Sequence, residues 1–243
     1  MTSSAAVSFD FWNTLYADGS EDQRKIRRKK IFKNYLKNYP TIADKDIDKA
    51  FNISTQHFFH EWKENTRTPT AAERILLMTQ YLELTISEEH IEQIAEEFGR
   101  LIDEIPPKAI TDAKDVVQEL SQMVPLGIIS DTGYIAGRHI RRFLEREGLL
   151  SCFSSFVFSD EHKYSKPHIS VFQKTAKQLN AELNQLIHVG DLERTDIEGA
   201  KSAGCRSIKF TGAKKQDKSS SQAELVVHTY RELNSGLNQL LMR

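Results

Sequence analysis

Cysteine is scarce in this chain: it has two, Cys152 and Cys205, and they lie far apart. They do not have the spacing of a metal-binding pair. A small disulfide-stapled protein would carry more of them, so we expect a reduced, cytoplasmic setting. The first residues also lack a charged segment followed by a long apolar stretch, which predicts that the chain has no secretory signal.

Long hydrophobic runs and an excess of one charge are missing as well. No segment approaches the roughly 18 apolar residues that a membrane span needs, so we expect no membrane partner. The 33 lysines and arginines balance 34 aspartates and glutamates, which gives no overall positive charge to attract nucleic acid. The 243 residues suffice for one large domain, or for a domain with an insert, and no internal repeat divides them.

Two kinds of pattern follow one another along the chain. From about residue 21 to residue 103 the sequence is charged and poor in strands, and its apolar residues recur at helical spacing. The stripes are Ile26, Phe32, Tyr35, Leu36 and Tyr39; Ile47, Phe51, Phe58, Phe59 and Trp62; Ile75, Leu76, Met78 and Leu82; and Ile91, Ile94, Phe98 and Leu101. This block predicts a set of helices without a sheet.

From Pro106 onward short apolar runs alternate with helical stretches, which is typical of a parallel α/β sheet. A first strand at Val7 to Phe9 is separated from the others by the helical block. We therefore predict an α/β core of residues 1–18 and 105–243 with a helical domain, residues 19–104, inserted after its first strand. The later strands are predicted at Leu126 to Ile129, Phe156 to Phe158, Leu186 to Val189, Ile208 to Phe210 and Leu225 to Val227.

Polar side chains follow several of these strands. Asp10 ends the first strand, Ser130 and Asp131 end the second, and Asp191 and Asp196 follow the strand at Leu186. Lys166 lies in the loop after Phe158. Because chemistry in open α/β sheets sits at the carboxyl ends of the strands, we expect these groups to converge.

The chemistry of these groups points to phosphoryl transfer. A carboxylate such as Asp10 can attack phosphorus, and a lysine and a serine can bind the oxygens of a phosphoryl group. Two anions repel one another, so a divalent cation between Asp10 and Asp191 would help, and oxygen ligands favour Mg²⁺.

The chain resembles the haloacid dehalogenase-like hydrolase superfamily over nearly its whole length. Four motifs in order carry the resemblance: the Phe-Asp-x-x-x-Thr-Leu strand end, the serine after the second strand, the Lys-Pro step, and Gly-Asp-(four residues)-Asp followed by Gly199-Ala200 and Ala203-Gly204. The resemblance implies a Rossmann-like parallel sheet and an inserted helical cap that resembles a four-helix bundle.

The resemblance also implies roles for the site residues. Asp10 would be the nucleophile and a metal ligand, and Ser130 and Lys166 would bind the phosphoryl group. Mg²⁺ would be held by Asp10, Asp191 and the backbone carbonyl of Trp12, with Asp196 either a further ligand or a partner of Lys166. We assign a small phosphorylated metabolite as substrate and expect a monomer or a homodimer. The substrate contacts that we predict are Phe11, Trp12, Ser130, Asp131, Lys166 and Arg67.

Trp12 departs from the pattern of the phosphatases in this superfamily, which usually place a second aspartate there to protonate the leaving group. Indole cannot act as that acid, and acid catalysis is worth roughly 10²–10⁴-fold. Asp131, Glu161 or a substrate group are the open replacements. Asn13 stands where a glycine is usual, and because asparagine tolerates left-handed backbone the turn can persist.

Two other functions stay open. The 2-haloacid dehalogenases also carry an aromatic residue at this position and need no leaving-group acid, but they work without metal and generally lack the two later acids that this chain keeps. A binding or regulatory protein that has lost turnover is the other alternative.

Several remaining features have simpler interpretations. The basic run of residues 24–33 is interpreted as a solvated helix face, and a helix is expected to begin at Thr70. We expect His188 to be a core residue and Lys214 to Gln222 to be a loop.

Overall fold

The computed structural model describes residues 5–39, 42–213 and 220–241. Its main feature is a parallel sheet of six strands in the order β5-β4-β1-β6-β7-β8. The predicted α/β class is therefore confirmed, and every predicted strand is present within one or two residues. The strands are β1 (Ala6–Phe9), β4 (Leu126–Ser130), β5 (Ser155–Phe158), β6 (Leu186–Gly190), β7 (Arg206–Phe210) and β8 (Leu225–Val227).

A two-stranded antiparallel ribbon was not predicted from the sequence. It pairs β2 (Tyr16–Ala17) with β3 (Lys108–Ala109) and closes the base of the helical insert. Strands of two residues carry too little periodicity to be recognised in a sequence. Of the predicted loop from Lys214 to Gln222, residues 214–219 lie outside the described residues.

Helices cover the sheet. They are α5 (Ala113–Ser121), α6 (Gly137–Arg146), α7 (Ile169–Gln178), α8 (Glu198–Ser202) and α9 (Tyr230–Leu241), with a π-helical turn at Glu193–Ile197 before α8. No helix in the described residues is long and apolar enough to cross a membrane.

Four helices lie between β2 and β3: α1 (Glu21–Tyr35), α2 (Asp44–Glu64), α3 (Ala71–Tyr81) and α4 (Glu88–Glu104). Their buried residues, among them Phe32, Phe51, Ile75 and Phe98, form a hydrophobic cluster that is distinct from those beneath the sheet. Thr70 caps α3 in a reciprocal capping box with Glu73, as the helix start predicted there requires. We propose on this layout that residues 19–104 form a cap domain.

The basic run on α1 is not simply a solvated face. Arg24 and Arg28 are buried, with 0% and 3% of their surface exposed. Arg24 forms an ion pair with Asp18 and donates to the carbonyl of Ile105 at 3.0 Å. It therefore ties together the two segments through which the chain enters and leaves the helical insert. The expectation of a fully solvated face was wrong because these two positions face inward.

Helix α4 is held against helix α6 of the core. Glu96 accepts hydrogen bonds from Arg138 at 3.1 Å and lies 3.0 Å from His139 Nε2. Desolvation raises the pKa of Glu96, but hydrogen bonds from Arg100, Arg138 and His139 outweigh it and lower the pKa to about 2. Gly99 faces the His139 ring, and a β-carbon there would overlap the imidazole. The close approach of the two helices thus depends on a glycine.

We expect Gly99→Ala to destabilise the protein by about 1–2 kcal/mol. Overpacking costs about 1–3 kcal/mol, and an overlap with three ring atoms of His139 belongs to the upper part of that range, about 2–3 kcal/mol. The better helix propensity of alanine offsets about 1 kcal/mol of it. Urea unfolding measures the change. Gly19→Ala is the control, because Gly19 is exposed and a β-carbon there meets nothing within 4 Å. Equal stability of the two variants would contradict the close packing of α4 on α6.

Candidate active site

The three central strands end at one place. Because β1 lies between β4 and β6, Asp10 stands between the loop that follows Ser130 and the loop that follows Gly190. The Asp10 N–H donates to the Val189 carbonyl at 2.9 Å, which extends the pairing of β1 and β6 by one residue. The turn after Asp10 carries Asn13 at φ 56°, so its predicted left-handed conformation is confirmed.

Lys166 reaches this point from the loop after β5. Its ammonium group lies 2.7 Å from Asp10 Oδ1 and 2.6 Å from Asp196 Oδ1, and 2% of its side chain is exposed. The Lys166–Pro167 peptide is cis. A buried ammonium between two carboxylates is stabilised by both and in turn limits their mutual repulsion. The structure thus brings together three of the residues predicted from separate segments.

Asp196 is held by more than Lys166. Its Oδ1 lies 3.1 Å from His188 Nε2, and its Oδ2 accepts the Leu192 N–H at 2.9 Å. A β-carbon on Gly190 would overlap the Asp196 side chain, so the strand end must be glycine. Of the two roles left open for Asp196, the structure shows the contact with Lys166, and the role of a metal ligand stays a prediction.

His188 is the buried residue that the sequence pattern predicted, but it also has a polar role. Its Nδ1 lies 2.9 Å from Ser8 Oγ, and burial lowers its pKa, which favours the neutral imidazole. Ser8, His188 and Asp196 thus form a buried chain that ends at Lys166. The residue type alone did not reveal this, because a lone histidine in a strand is usually a packing residue.

The two carboxyl groups beside Lys166 have opposite pKa shifts. Desolvation, together with the charges of Asp196 and Asp191, raises the pKa of Asp10 to about 7 against the effect of Lys166. Desolvation acts on Asp196 too, but Lys166 and His188 outweigh it and hold its pKa well below the usual range. The ionised form is therefore less stable for Asp10 than for Asp196. A further cation beside Asp10 would stabilise its ionised form.

Ser130 supplies a hydroxyl without a partner. Its Oγ is buried at the end of β4, and no described residue forms a hydrogen bond with it. Buried polar atoms normally have partners, so this orphaned hydroxyl at the end of the strand next to β1 is a candidate ligand-binding group, but Ser130 is not part of the cavity lining that the described residues form.

A cavity of about 170 Å³ opens beside these groups. Its lining has a polar part and an aromatic part, and the aromatic side chains come mainly from α2. The polar part consists of Asp10, Asp131, Lys166, Asp191 and Asp196. The aromatic wall consists of Phe58, Phe59 and Trp62, with Trp12 from the core. The arrangement can hold a small anionic group against Asp10 and can shield it from water.

Asp131 connects the two sides of this cavity. Its Oδ1 accepts the Lys166 N–H at 3.0 Å, and its Oδ2 accepts the Trp62 indole N–H at 2.8 Å. Desolvation raises the pKa of Asp131 above its usual value. The predicted substrate contact thus lies at the cavity and is also a link between the core and α2.

Residues 7–210 match the sequence profile of the Haloacid dehalogenase-like hydrolase family. The chain belongs to this family. The match covers the sheet strands up to β7, the helical insert and every residue of the site just described.

Curated relatives match the hydrolase over shorter stretches. The phosphoglycolate phosphatase of Escherichia coli (strain K12) is 31% identical over 90 residues, which are 36% of this chain and 33% of that one. The glyceraldehyde 3-phosphate phosphatase of Pyrococcus abyssi is 29% identical over 104 residues, 42% of each chain. The matched stretch thus spans half or less of the length of these relatives.

Solved structures match over the whole chain at low identity. A 2-haloacid dehalogenase from Pseudomonas syringae has a TM-score of 0.70 at 17% identity and covers 98% of this chain and 99% of its own. The HAD-hydrolase YfnB from Bacillus subtilis, bound to magnesium, has a TM-score of 0.66 at 18% identity and covers 98% and 100%. At such identities the likeness shows a shared fold, and it does not separate phosphatase from dehalogenase.

The backbone around Trp12 leaves one possible ligand free for a cation. In the isolated bridge to Tyr16, Asn13 donates to the Tyr16 carbonyl at 2.6 Å, and Tyr16 donates to the Phe11 carbonyl at 3.0 Å. Trp12 is the central residue of this bridge, and the two hydrogen bonds are made by its neighbours Phe11 and Asn13. The N–H and C=O of Trp12 itself therefore point away from Tyr16. The Trp12 carbonyl therefore takes no part in this bridge.

The donor set of this hydrolase fits Mg²⁺. Among the described residues no three His, Cys, Asp or Glu side chains are arranged to hold a metal by themselves. Asp10, Asp191 and the Trp12 carbonyl supply two carboxylates and one carbonyl, and Mg²⁺ beside phosphate typically keeps water and phosphate oxygens for its other positions. Desolvation is the main cause of the raised pKa of Asp10, and the negative charges of Asp196 and Asp191 add to it.

Some predicted contacts do not reach the cavity. Arg67 pairs with Glu61 and Glu73 and lies outside the cavity lining that the described residues form. The ring of Phe11 is fully buried in the core, so its backbone alone can face a ligand. Glu161 is occupied by two hydrogen bonds from Arg141 and is likewise not part of the lining, which leaves Asp131 as the nearer of the two acids considered.

The cavity contains residues that sequence reasoning missed. Phe58, Phe59 and Trp62 appeared only as a helical stripe, and a stripe cannot show which of its members face a core and which face a site. The signal was present in Trp62, because an indole N–H placed on a half-buried face needs an acceptor.

We expect Lys166→Met to destabilise the hydrolase by about 3–5 kcal/mol at pH 8, since it leaves Asp10 and Asp196 buried without their cation. Loss of the ammonium raises the pKa of Asp10 further and also raises the pKa of Asp196, which Lys166 holds low in the parent protein. Protonation then relieves the repulsion as the pH falls, so the deficit is smaller at pH 5 than at pH 8. Urea unfolding at the two pH values measures it.

Lys209→Met is the matched control for this prediction. Lys209 is equally buried, with 3% of its side chain exposed, but its partner Glu193 has 24% exposed to solvent. Desolvation raises the pKa of Glu193, but hydrogen bonds outweigh it and lower the pKa, and the strongest of them, from the backbone N–H of Gln222, remains in the variant. Glu193 therefore stays largely ionised at both pH values, and the loss of stability in Lys209→Met changes little between them. A Lys166→Met deficit that does not change with pH would contradict the buried triad.

Proposed function

We propose that this hydrolase is a Mg²⁺-dependent phosphoesterase that acts on a small phosphorylated metabolite through an aspartyl-phosphate on Asp10. The observation that carries the proposal is the buried Lys166 ammonium, 2.7 Å from Asp10 Oδ1, with both residues lining a cavity. The unpartnered Ser130 hydroxyl lies at the end of the neighbouring strand β4. A nucleophile beside a fixed cation, with an open hydrogen-bond donor on the next strand, suits a phosphoryl group.

The reaction has two steps. An oxygen of Asp10 attacks phosphorus, the bond from phosphorus to the ester oxygen breaks, and the leaving group departs with its electron pair and takes up a proton. Water then attacks phosphorus, which returns the Asp10 carboxylate and releases inorganic phosphate. Lys166 and Ser130 bind the phosphoryl oxygens in both steps, and Asp196 and His188 keep the ammonium group in place.

The bound Mg²⁺ would supply charge neutralisation between the phosphate and the carboxylates of Asp10 and Asp191. The chain itself must keep the cavity dry. The aromatic wall of Phe58, Phe59 and Trp62 closes over Asp10, and the hydrogen bond from Trp62 to Asp131 fixes that wall to the core.

Trp12 limits the leaving groups that this site can release. The side chain lines the cavity where the phosphatases of the family place an acid, and indole has no proton to give near neutral pH. A good leaving group, or proton donation from Asp131, would meet the need.

The relatives support the class of substrate. The relatives described above are phosphatases of phosphoglycolate and of glyceraldehyde 3-phosphate, both small phosphorylated compounds. Because the matched stretch spans half or less of those proteins, the substrate stays a proposal. The predicted oligomeric state, monomer or homodimer, and the cytoplasmic location stay predictions.

One observation favours a second function. Trp12 is an aromatic residue at the position where the 2-haloacid dehalogenases also carry one, and halide leaves without a proton. Against this stands Asp191, whose charge acts on Asp10 and which the 2-haloacid dehalogenases generally lack.

Hydrolysis of p-nitrophenyl phosphate with and without Mg²⁺ tests the proposed function. The activated leaving group needs little protonation, so Trp12 does not limit it. We expect turnover that requires Mg²⁺ and falls by at least about 10³-fold in Asp10→Asn, which removes the nucleophile. Arg67→Gln, outside the cavity, keeps full activity. No turnover by the folded protein, with halide release from 2-chloropropionate instead, would favour the dehalogenase.

Binding of the metal can be measured without turnover. A ligand that binds the native state alone raises the melting temperature, so 10 mM Mg²⁺ is expected to raise that of the parent by a few degrees, roughly the shift that 1 kcal/mol produces. Asp191→Asn is expected to lose this shift. Glu161→Gln, which removes a carboxylate outside the cavity, keeps it. An unchanged shift in Asp191→Asn would exclude this residue as a ligand.

A further inference from the structure

A second cavity adjoins the first. It has a volume of about 610 Å³ and lies between the helical insert and the loop that follows β4. The two cavities share five lining residues: Trp12, Asn13, Phe58, Phe59 and Asp131. A molecule whose phosphoryl group lies against Asp10 can therefore extend past Trp12 into the second cavity.

Arg74 of α3 lines this second cavity and is buried, with 6% of its surface exposed. Its guanidinium carbon lies 3.6 Å from the ring centre of Tyr134 and 4.7 Å from that of Phe58. A β-carbon on Gly133 would lie 3.3 Å from Arg74 Nη1, so this nitrogen faces the loop that carries Ser130 and Asp131. The stacking holds the guanidinium plane in one orientation.

Among the described residues no carboxylate contacts Arg74, and the charge of Glu21 acts on it without contact. The described residues offer it neutral hydroxyl acceptors, Ser54 Oγ at 3.3 Å from Nε and Thr55 Oγ1 at 3.4 Å from Nη2. None of their carboxylates lies within 4.0 Å of it, whereas the other two buried arginines, Arg24 and Arg28, both pair with Glu21. A buried guanidinium without an anion is costly, and arginine cannot escape the cost by losing its proton.

We propose that Arg74 binds a second anionic group of the substrate, a carboxylate or a phosphoryl group, at the end away from the scissile phosphate. The proposal rests on the proposed function for the placement of the phosphoryl group on Asp10. It narrows the substrate class to small phosphorylated compounds with two anionic ends. The guanidinium fork suits either oxyanion, and Arg74, rather than the predicted Arg67, is then the residue of this segment that selects the substrate.

Intrinsic fluorescence can report on the binding directly. The chain has two tryptophans, Trp12 and Trp62, and both line the cavity beside Asp10. Three phosphonates that cannot be hydrolysed serve as probes in the presence of Mg²⁺: phosphonoacetate with a carboxylate, methylenediphosphonate with a second phosphonyl group, and methylphosphonate with neither. The first two distinguish which oxyanion the site prefers.

We expect the parent protein to bind phosphonoacetate or methylenediphosphonate at least tenfold more tightly than methylphosphonate. Arg74→Gln should lose this preference, weakening the two-ended probe about 10- to 100-fold, the range of a charge-assisted hydrogen bond, while methylphosphonate binding changes little. Arg67→Gln removes the same charge from the exposed loop before α3 and should keep the preference.

A merely structural role for Arg74 gives a different result. Arg74→Gln would then weaken all three probes equally, which overturns the proposal, as does a parent protein without any preference. If Arg74→Gln fails to fold by circular dichroism, Arg74→Lys replaces it. Lysine keeps the charge without the planar fork, so the preference should fall while methylphosphonate binding stays, and equal weakening of all probes again overturns the proposal.

The outcome is separable from that of the proposed function. If the probe preference depends on Arg74 but the protein does not hydrolyse p-nitrophenyl phosphate, the proposed anion site is supported and the proposed phosphatase activity is rejected. Turnover of p-nitrophenyl phosphate without any Arg74-dependent preference would retain the phosphatase and remove the anion site.

Discussion

The structure of the site depends on one buried cation. Lys166 lies between Asp10 and Asp196 at the ends of two neighbouring strands, and each of its contacts fixes another segment of the chain. Its ammonium group sets Asp10 in place, and its backbone N–H holds Asp131 and, through Asp131, the indole of Trp62 on α2. One residue thus connects the nucleophile, the sheet and the helical insert.

The number of carboxylates around this cation exceeds what it can neutralise. Asp196 takes the larger benefit because His188 and a backbone N–H also donate to it, and Asp10 is left with a pKa near 7. This asymmetry follows from geometry, since both carboxyl groups line the cavity but His188 and the Leu192 N–H reach Asp196 alone. It is the physical reason for the proposal that Asp10 performs the chemistry beside a divalent cation while Asp196 supports Lys166.

The fold could be predicted largely from the sequence, because parallel strands buried on both faces give continuous apolar runs between helical stretches. Asp10, Asp191 and Lys166 could be predicted as well, because each follows a strand whose end is determined by that pattern. The inward orientation of Arg24 and Arg28, and the pairing of Arg67 with two glutamates, could not. The burial of Arg24 and Arg28 depends on how α1 is rotated about its axis, and a charged helix with a weak apolar stripe does not reveal that rotation in its sequence. The pairing of Arg67 depends on how α2 and α3 are placed on either side of its loop.

The same reasoning explains why the substrate is decided away from Asp10. The residues around Lys166 largely satisfy one another, and the hydroxyls of Ser130 and Ser165 are left without partners among the described residues. The proposed phosphoryl group is therefore the part of a substrate that these residues would bind. Past Trp12 the walls come from the insert and the loop after β4, and there the structure holds a rigid guanidinium without an anion. A buried charge of this kind is costly unless a ligand completes it, and its cavity shares five lining residues with the cavity beside Asp10. The lack of an acid at position 12 and the proposed role of Arg74 are then connected. Binding energy from a distant anionic end can orient a substrate whose leaving group is not protonated by a residue at position 12.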